Sequence, residues 1–589
     1  MNAKQIISEF LVQCNKSELV QYLEYPLDLT MWDVALPCFM LAKELKQSPM
    51  QIAQNLAEVL KSQIKVVENS WEEINYKLSQ IDDVISTGPY INFTINWAVL
   101  GEELIQEIKH KGNEYGKWEI KKDLILVESP GPNTNKPLHL GHVRNMLLGN
   151  SVADILLFAG YNVKKVDIVN DRGIHICKSM LAYQKLGNKA QPNKKSDHYV
   201  WDRYIAYDAW LADHHEWELE IKEMLVAWEN GDEQVRSLWK QMNKRCLDWH
   251  AQTYARYGTV IDKMYLESDH YLAGKKLVMD GLEQWLFRRN DKGNVVADLS
   301  ASGGAEKVLL RSDDTSIYMT QDLALGVIRY EDYHMDRMIY VVGSEQDEHF
   351  RSLFELFGRM WYNFADQCYH LSYGMISLPD GKMKSRTGNV VDADNLADDM
   401  YTKCVELLVE RYCDLDHHEV ARRAEVIAMA AIKLFILKYD AKKNFVFDKD
   451  HSLAFDGETG PYILYSYARA KTILSKSELQ GNNSEFLRKD KSQHWNIFEI
   501  TIEEKVLLWM IAKFGEIVQE SAIDYAPTVV AKYVLWLASL FNSYYHHTKI
   551  LDVSLDENVR DFRLWLVSSV AQVLQNGLKL LWIETLEQM

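Results

Sequence analysis

No stretch of this 589-residue chain is long and apolar enough to read as a membrane span, which takes about 20 consecutive apolar residues. The opening MNAKQIISEF has neither the basic nor the apolar zone of a secretory signal, so a cytoplasmic protein with no membrane partner is expected. Cysteine is sparse: seven residues, an odd number, scattered and without a C-x-x-C pair. That pattern fits reduced thiols and offers neither a disulfide scaffold nor a zinc framework, so no metal site and no zinc are expected. Positive charge is also short, at a formal net charge of −18. This tells against nucleic-acid binding, which needs clustered Lys and Arg to neutralise phosphates. Binding depends on where basic residues lie rather than on their sum. A nucleic-acid role therefore requires local patches, for which the Lys382 to Arg386 stretch and Lys438, Lys442 and Lys443 are candidates. No internal repeat or low-complexity tract is apparent.

What is present is ample core material, with 47% hydrophobic residues in a chain long enough for three or more domains. Its most informative stretch is Glu128 to Arg144, ESPGPNTNKPLHLGHVR. The apolar run Leu124 to Val127 reads as a strand, and Met146, Ala153 and Leu157 share one face of a following helix. His139 and His142 therefore sit where strand gives way to helix. Exposed N–H groups and the positive end of the helix dipole favour phosphate there, imidazoles add donors, and Gly141 lets a base approach the backbone. ATP is the natural candidate ligand, against the plainer readings of a structural helix start or an adventitious H-x-x-H metal pair. Far downstream, Pro379 to Val391 reads PDGKMKSRTGNVV, with Lys382, Lys384 and Arg386 between two glycines. Such a basic loop is usually solvated surface. It is also what nucleotidyl transfer needs, positive charge over a departing pyrophosphate.

HLGH and KMKSR together resemble the two signatures of class I aminoacyl-tRNA synthetases, and their surroundings resemble the arginyl family in particular. Similar segments include NDRGIH from Asn170, YMTQD from Tyr318, VGSEQDEHF from Val342, GPYILYSYAR from Gly460, FNSYYH from Phe541 and the closing NGLKLLWIETLEQM. The resemblance implies that ATP meets Pro137, His139, Gly141, His142, Lys382, Met383 and Lys384. It also implies that Mg2+ accompanies ATP and that tRNA(Arg) and L-arginine are partners of a monomeric enzyme. The second signature departs from the usual KMSKS, because Ser385 stands where its second lysine would be. Lys384, Arg386 or Lys136 is expected to supply the missing charge.

Changes of pattern divide the chain into three. Residues 1–115 read as an α+β appendage in which Ile91, Phe93 and Ile95 alternate with Asn92, Thr94 and Asn96 as a half-buried strand. The resemblance implies tRNA contact there, with Tyr90, Asn92 and Phe93 as candidate base contacts. Residues 116–450 alternate strands and helices, as in Lys164 to Val169 and Met338 to Val342. This predicts a Rossmann-like α/β catalytic body with a parallel sheet. A tryptophan-rich helical insertion over about 176–265 interrupts it, its Trp201, Trp210, Trp217, Trp228, Trp239 and Trp249 being read as packing faces. Residues 451–589 carry three helical stripes, from Leu507 to Tyr525, from Val530 to Tyr544 and from Leu564 to Leu581. They predict an all-α bundle, which the resemblance makes an anticodon-binding domain.

A guanidinium needs planar acceptors. Tyr318 and Asp322 share a helix face and Glu128 ends the strand before HLGH, so the three can converge on arginine. By resemblance Asn133, Gln346 and Ser129 hold the amino-acid end. The expected activity is formation of arginyl-adenylate from arginine and ATP, then transfer to the 2′-hydroxyl of the terminal adenosine, with His139, His142, Lys136, Lys382, Lys384 and Arg386 as the catalytic set. Another class I synthetase, or a small-molecule nucleotidyltransferase using the same H-x-G-H turn, is the alternative.

Overall fold

A computed structural model describes every residue except 1, 27–31, 68–79, 187–195, 212–213, 215, 301–303, 380–390 and 480–498. The first unit is a three-stranded antiparallel sheet of β1 (Val34–Pro37), β2 (Ile81–Thr87) and β3 (Tyr90–Ile95), ordered β1-β3-β2, with the helices Ala3–Gln13 and Pro49–Val67. Ile91, Phe93 and Ile95 are buried as the alternation predicts. Asn92 is buried as well, because β3 is the middle strand and pairs with Ala35 on one side and Ile85 on the other. Asp33 ties this unit to the C-terminal helices. Its buried carboxylate accepts from the Ile95 amide (2.8 Å) and the Trp97 indole (2.9 Å) and lies 3.0 Å from the Lys505 ammonium.

The central body is a five-stranded parallel sheet. It comprises β4 (Leu124–Glu128), β5 (Asn162–Val169), β6 (Lys263–Leu266), β10 (Arg337–Gly343) and β11 (Cys368–Tyr373), in the order β11-β10-β4-β5-β6. A small antiparallel sheet of β7 (Arg288–Arg289), β8 (Val295–Ala297) and β9 (Lys307–Leu310) lies between β6 and β10 in the chain. From β4 the chain runs outward one way to β5 and β6, and from β10 the other way to β11. A topological switch point therefore opens at the carboxyl ends of β4 and β10, where α/β sheets bind their ligands. Ile125 to Val127 are buried, as expected of a strand covered on both faces. The helix Leu140–Phe158 that follows is buried on nearly every side of its first four turns.

Four helices, Ile174–Leu186, Ser196–Trp210, Trp217–Glu229 and Glu233–Tyr257, occupy the expected insertion. Trp217 and Trp228 are packed inside it, whereas Trp210 is 47% exposed. The last third is helical. The second and third sequence stripes each lie on one helix, Pro527–His547 and Glu557–Leu580. The first is shared by two, Ile502–Ala512 and Phe514–Ile523, with Tyr525 beyond them in a left-handed conformation. No helix among the described residues is long and apolar enough to cross a membrane.

Candidate active site

The turn from β4 into Leu140–Phe158 is built by its own histidines. The His139 ring accepts the Gly141 amide at Nδ1 (3.1 Å), and the His142 ring accepts the His139 amide at Nδ1 (3.1 Å), so two orphan donors of the helix start are satisfied locally. The rings lie 3.9 Å apart between centroids. Burial pushes His139 down to about 3, helped by the charge of Lys136, and pushes His142 well below the ordinary imidazole range. Both rings are therefore neutral. A neutral ring accepting at Nδ1 carries its proton on Nε2, and neither Nε2 has a hydrogen-bond partner among the described residues. The turn thus offers two imidazole N–H donors beside the positive end of a helix, a constellation suited to phosphate oxygens. A Cβ at position 141 would lie 3.0 Å from the His139 ring, so any side chain there would press on that histidine.

Lys136 stands at the entrance to this turn, half-buried, its pKa lowered by burial and without a carboxylate partner among the described residues. An ammonium withdrawn from water without a counter-ion favours an arriving anion. Its backbone carbonyl accepts the Nε2–H of His250 (3.1 Å), a fully buried imidazole held neutral, at about 4, by that burial. Lys382, Met383, Lys384 and Arg386 lie outside the described residues. The chain just after them is in place, however. The Leu140 amide donates to the Val391 carbonyl and the Ala393 amide to that of Leu138, each at 2.9 Å. The first signature is therefore joined at the backbone to Val391 and Ala393.

Arg144, also in the first signature, has a different task. Its buried guanidinium donates to the carbonyls of Gly374 (2.6 Å), Asp440, Ala441 and Lys443, fastening the helix to two distant segments. Lys438, considered above as a nucleic-acid contact, is buried and donates to the Glu458 carbonyl; Lys442 and Lys443 are exposed.

Across the switch point lies an acidic wall. Glu128 is 7% exposed and accepts from Arg329, itself 1% exposed, on the helix Tyr318–Tyr333. Burial raises the Glu128 carboxyl against the opposing pull of Arg329, and the Asp322 charge raises it further. Asp322 sits two turns before Arg329 on that helix and pairs with His349 Nε2 at 2.7 Å. His349 thus serves a carboxylate. No group of three or more His, Cys, Asp or Glu able to hold a metal ion is found among the described residues. Tyr318 is 69% exposed at the first turn, and Gln346 is exposed in the 3-10 turn Ser344–Gln346 that follows β10. Asn133 forms an isolated bridge with Asn170, while Ser129 is buried, its hydroxyl packed against Gly149. The wall thus holds two carboxyl groups, Glu128 met by Arg329 and Asp322 met by His349.

Arg329 escaped the sequence reading, although its seven-residue spacing from Asp322 puts both on one helix face. His250 escaped as well, one histidine in an otherwise ordinary helical stretch. In the N-terminal unit Tyr90 is half-exposed and packs edge-on against Phe39, which is 50% exposed. Phe93 is a correction: it is 0% exposed in the sheet core and presents no face on which a base could stack.

Comparison with known proteins finds relatives over nearly the whole chain. The family model for class I (R) tRNA synthetases, catalytic domain, matches residues 103–449. The DALR anticodon binding domain matches residues 463–589 and the arginyl tRNA synthetase N terminal domain residues 1–95. An arginine–tRNA ligase of Bacteroides fragilis is 40% identical over 580 residues, covering 94% of this chain and 93% of the relative. One from Porphyromonas gingivalis is 41% identical over 528 residues, covering 85% and 86%. The fold matches that of Thermus thermophilus arginyl-tRNA synthetase with a TM-score of 0.80 across the whole of both chains, at 24% identity. A catalytic-domain model matching over half of the chain and relatives this similar over nearly full length identify the chain as a member of the arginine–tRNA ligase family of class I synthetases.

Proposed function

We propose that this protein joins L-arginine to tRNA(Arg) in two steps at the switch-point crevice. The observation that carries the reading is a donor-rich helix start, at His139 and His142, following a strand whose last residue, Glu128, lies beside Arg329 and feels the charge of Asp322. Arginine lies with its guanidinium on Glu128 and Asp322, Tyr318 beside it, and its α-amino and carboxylate groups toward Asn133 and Gln346. Its carboxylate attacks the α-phosphorus of Mg-ATP. The bond to the β-phosphate bridging oxygen breaks, and pyrophosphate leaves with the electron pair. Neutral His139 and His142 donate from Nε2 to phosphate oxygens, and Lys136 supplies the localised charge that Ser385 cannot. No side chain of the protein is consumed; alignment and electrostatic stabilisation supply the rate. The 2′-hydroxyl of the terminal adenosine then attacks the activated carbonyl and AMP departs.

Around this chemistry, residues 1–115 serve as a tRNA-contacting unit centred on Tyr90. Residues 116–450 are the catalytic unit and residues 451–589 the anticodon-binding unit. All seven cysteines are free, which suits a reducing cytoplasm, and the protein works there as a monomer with Mg2+ arriving on ATP and without zinc. The decisive experiment is charging of total tRNA with each labelled amino acid in turn, with Asp322→Ala as control. Arginine is expected to be charged, with the control losing that activity; preferential charging of lysine or another amino acid would overturn the specificity.

A further inference from the structure

The turn between β4 and the first signature carries the residues assigned above to the amino acid, yet it is a loop and needs an anchor. One is present beneath it. Asp167, on β5 and 0% exposed, accepts the Gly131 amide at Oδ1 (2.8 Å) and the Tyr254 hydroxyl at Oδ2 (3.1 Å). Gly131 has a φ of +71°, a left-handed conformation that favours glycine. The same turn is held at its start, where the Ser129 amide donates to the Val166 carbonyl (3.0 Å). Tyr254 is 4% exposed and belongs to Glu233–Tyr257, the helix that also presents Asn243 to the Thr134 hydroxyl and His250 to the Lys136 carbonyl. Positions 243, 250 and 254 are seven and four apart and so share one face. A single helix face therefore grips the loop at Thr134 and Lys136 directly, and at Gly131 through Asp167.

We propose that Asp167 and Tyr254 are positioning residues for amino-acid activation, setting the turn 129–133 so that Asn133 and the end of β4 meet the amino acid in register. Neither side chain touches substrate; both act through the Gly131 amide. The buried carboxyl accepts at both oxygens, so removing it leaves the Gly131 amide unpaired, while removing the Tyr254 hydroxyl leaves Oδ2 unpaired and the carboxyl no longer held beneath that amide. The effect is local to the amino-acid side, because the ATP side of the loop is held separately by His250. The inference rests on the function proposed above for Asn133 and Glu128.

The test uses the full-length protein with Asp167→Ala, Asp167→Asn and Tyr254→Phe. Pyrophosphate exchange in the presence of tRNA(Arg) yields KM for arginine and for ATP separately, and amide hydrogen exchange over residues 129–134 reads the turn without any substrate. Asp167→Ala and Tyr254→Phe are expected to raise KM for arginine about tenfold, the size of one buried hydrogen bond, with KM for ATP within about twofold of the unmodified protein. Exchange over 129–134 should quicken, and Asp167→Asn, whose amide oxygen can still accept from Gly131, should restore both readouts. The proposal falls if exchange over 129–134 is unchanged, or if both KM values rise together with no rescue by asparagine. Failure of the unmodified protein to use arginine would count against the proposed function, and the exchange measurement would still decide whether Asp167 holds the turn.

Discussion

Replacing Arg329 by methionine is the sharpest probe of the acidic wall. The two partners are 1% and 7% exposed. Deleting one member of a buried ion pair leaves the other charged group without compensation, at a cost of about 3–5 kcal/mol. Glu128 can escape part of that cost by taking a proton, since burial already raises its pKa and Arg329 is what opposes the rise. A protonated Glu128 no longer attracts a guanidinium, so the variant forfeits one charge-assisted hydrogen bond to the substrate, about 1.5–3 kcal/mol, or roughly 10- to 150-fold in KM for arginine. KM for ATP should stay near its original value. The sign with pH follows from the same group. Its ionised form returns as pH rises, so KM for arginine in Arg329→Met should fall with rising pH, while the unmodified enzyme changes less. The double variant Glu128→Gln/Arg329→Met removes both charges and should regain most of the lost thermal stability without regaining arginine affinity. Pyrophosphate exchange across pH, with melting curves alongside, measures all of this. The reasoning is refuted if KM for arginine and KM for ATP rise in parallel, or if the double variant binds arginine as well as the unmodified protein.

Three further outcomes are expected. Lys136→Ala should slow adenylate formation far more than it weakens arginine binding, measured by single-turnover kinetics against equilibrium binding; equal loss of both, or of neither, would remove Lys136 from the phosphate site. His139 is lowered from 6.5 to about 3 when folded, so below pH 6.5 the unfolded chain binds the extra proton first. The stability this group contributes is present above 6.5 and drains away as pH falls toward 3. His139→Gln should therefore lose less stability than the unmodified protein between pH 6.5 and 4 in acid unfolding followed by circular dichroism, and an identical acid profile would contradict a neutral buried ring. In the N-terminal unit, Phe93→Ala should destabilise by about 3–5 kcal/mol as a core truncation, whereas Tyr90→Ala should leave melting unchanged and raise KM for tRNA; the reverse assignment of effects would argue against the burial pattern.

Much of this was legible before any coordinates, and the reasons differ by residue. The strands Leu124–Glu128 and Arg337–Gly343 announce themselves because parallel strands buried on both faces are short continuous apolar runs. The helix Tyr318–Tyr333 places Tyr318 and Asp322 on one face by spacing alone. Arg329 lies on that face too, but nothing in its neighbourhood says that its guanidinium will meet a strand end 201 positions earlier in the chain. Asp167 is hidden for the same reason: an aspartate inside an apolar strand signals a buried partner without naming Gly131 and Tyr254. Phe93 misled because the resemblance carried a base contact onto a residue whose alternation with Ile91 and Ile95 already placed it on the apolar face of β3. The stripe from Leu507 runs in apolar spacing through Lys513 unbroken, although the backbone there begins a second helix.

Arg144 clasps the carbonyls of Gly374 and of Asp440, Ala441 and Lys443, while Ile376 and Ser377 pair with Phe445 and Val446, and Val391 and Ala393 are laced to Leu140 and Leu138. Both stems of the lysine-bearing connection are thereby stitched to the same body. Losing the Arg144 guanidinium would therefore loosen the helix from Gly374 and from residues 440–443 in one stroke.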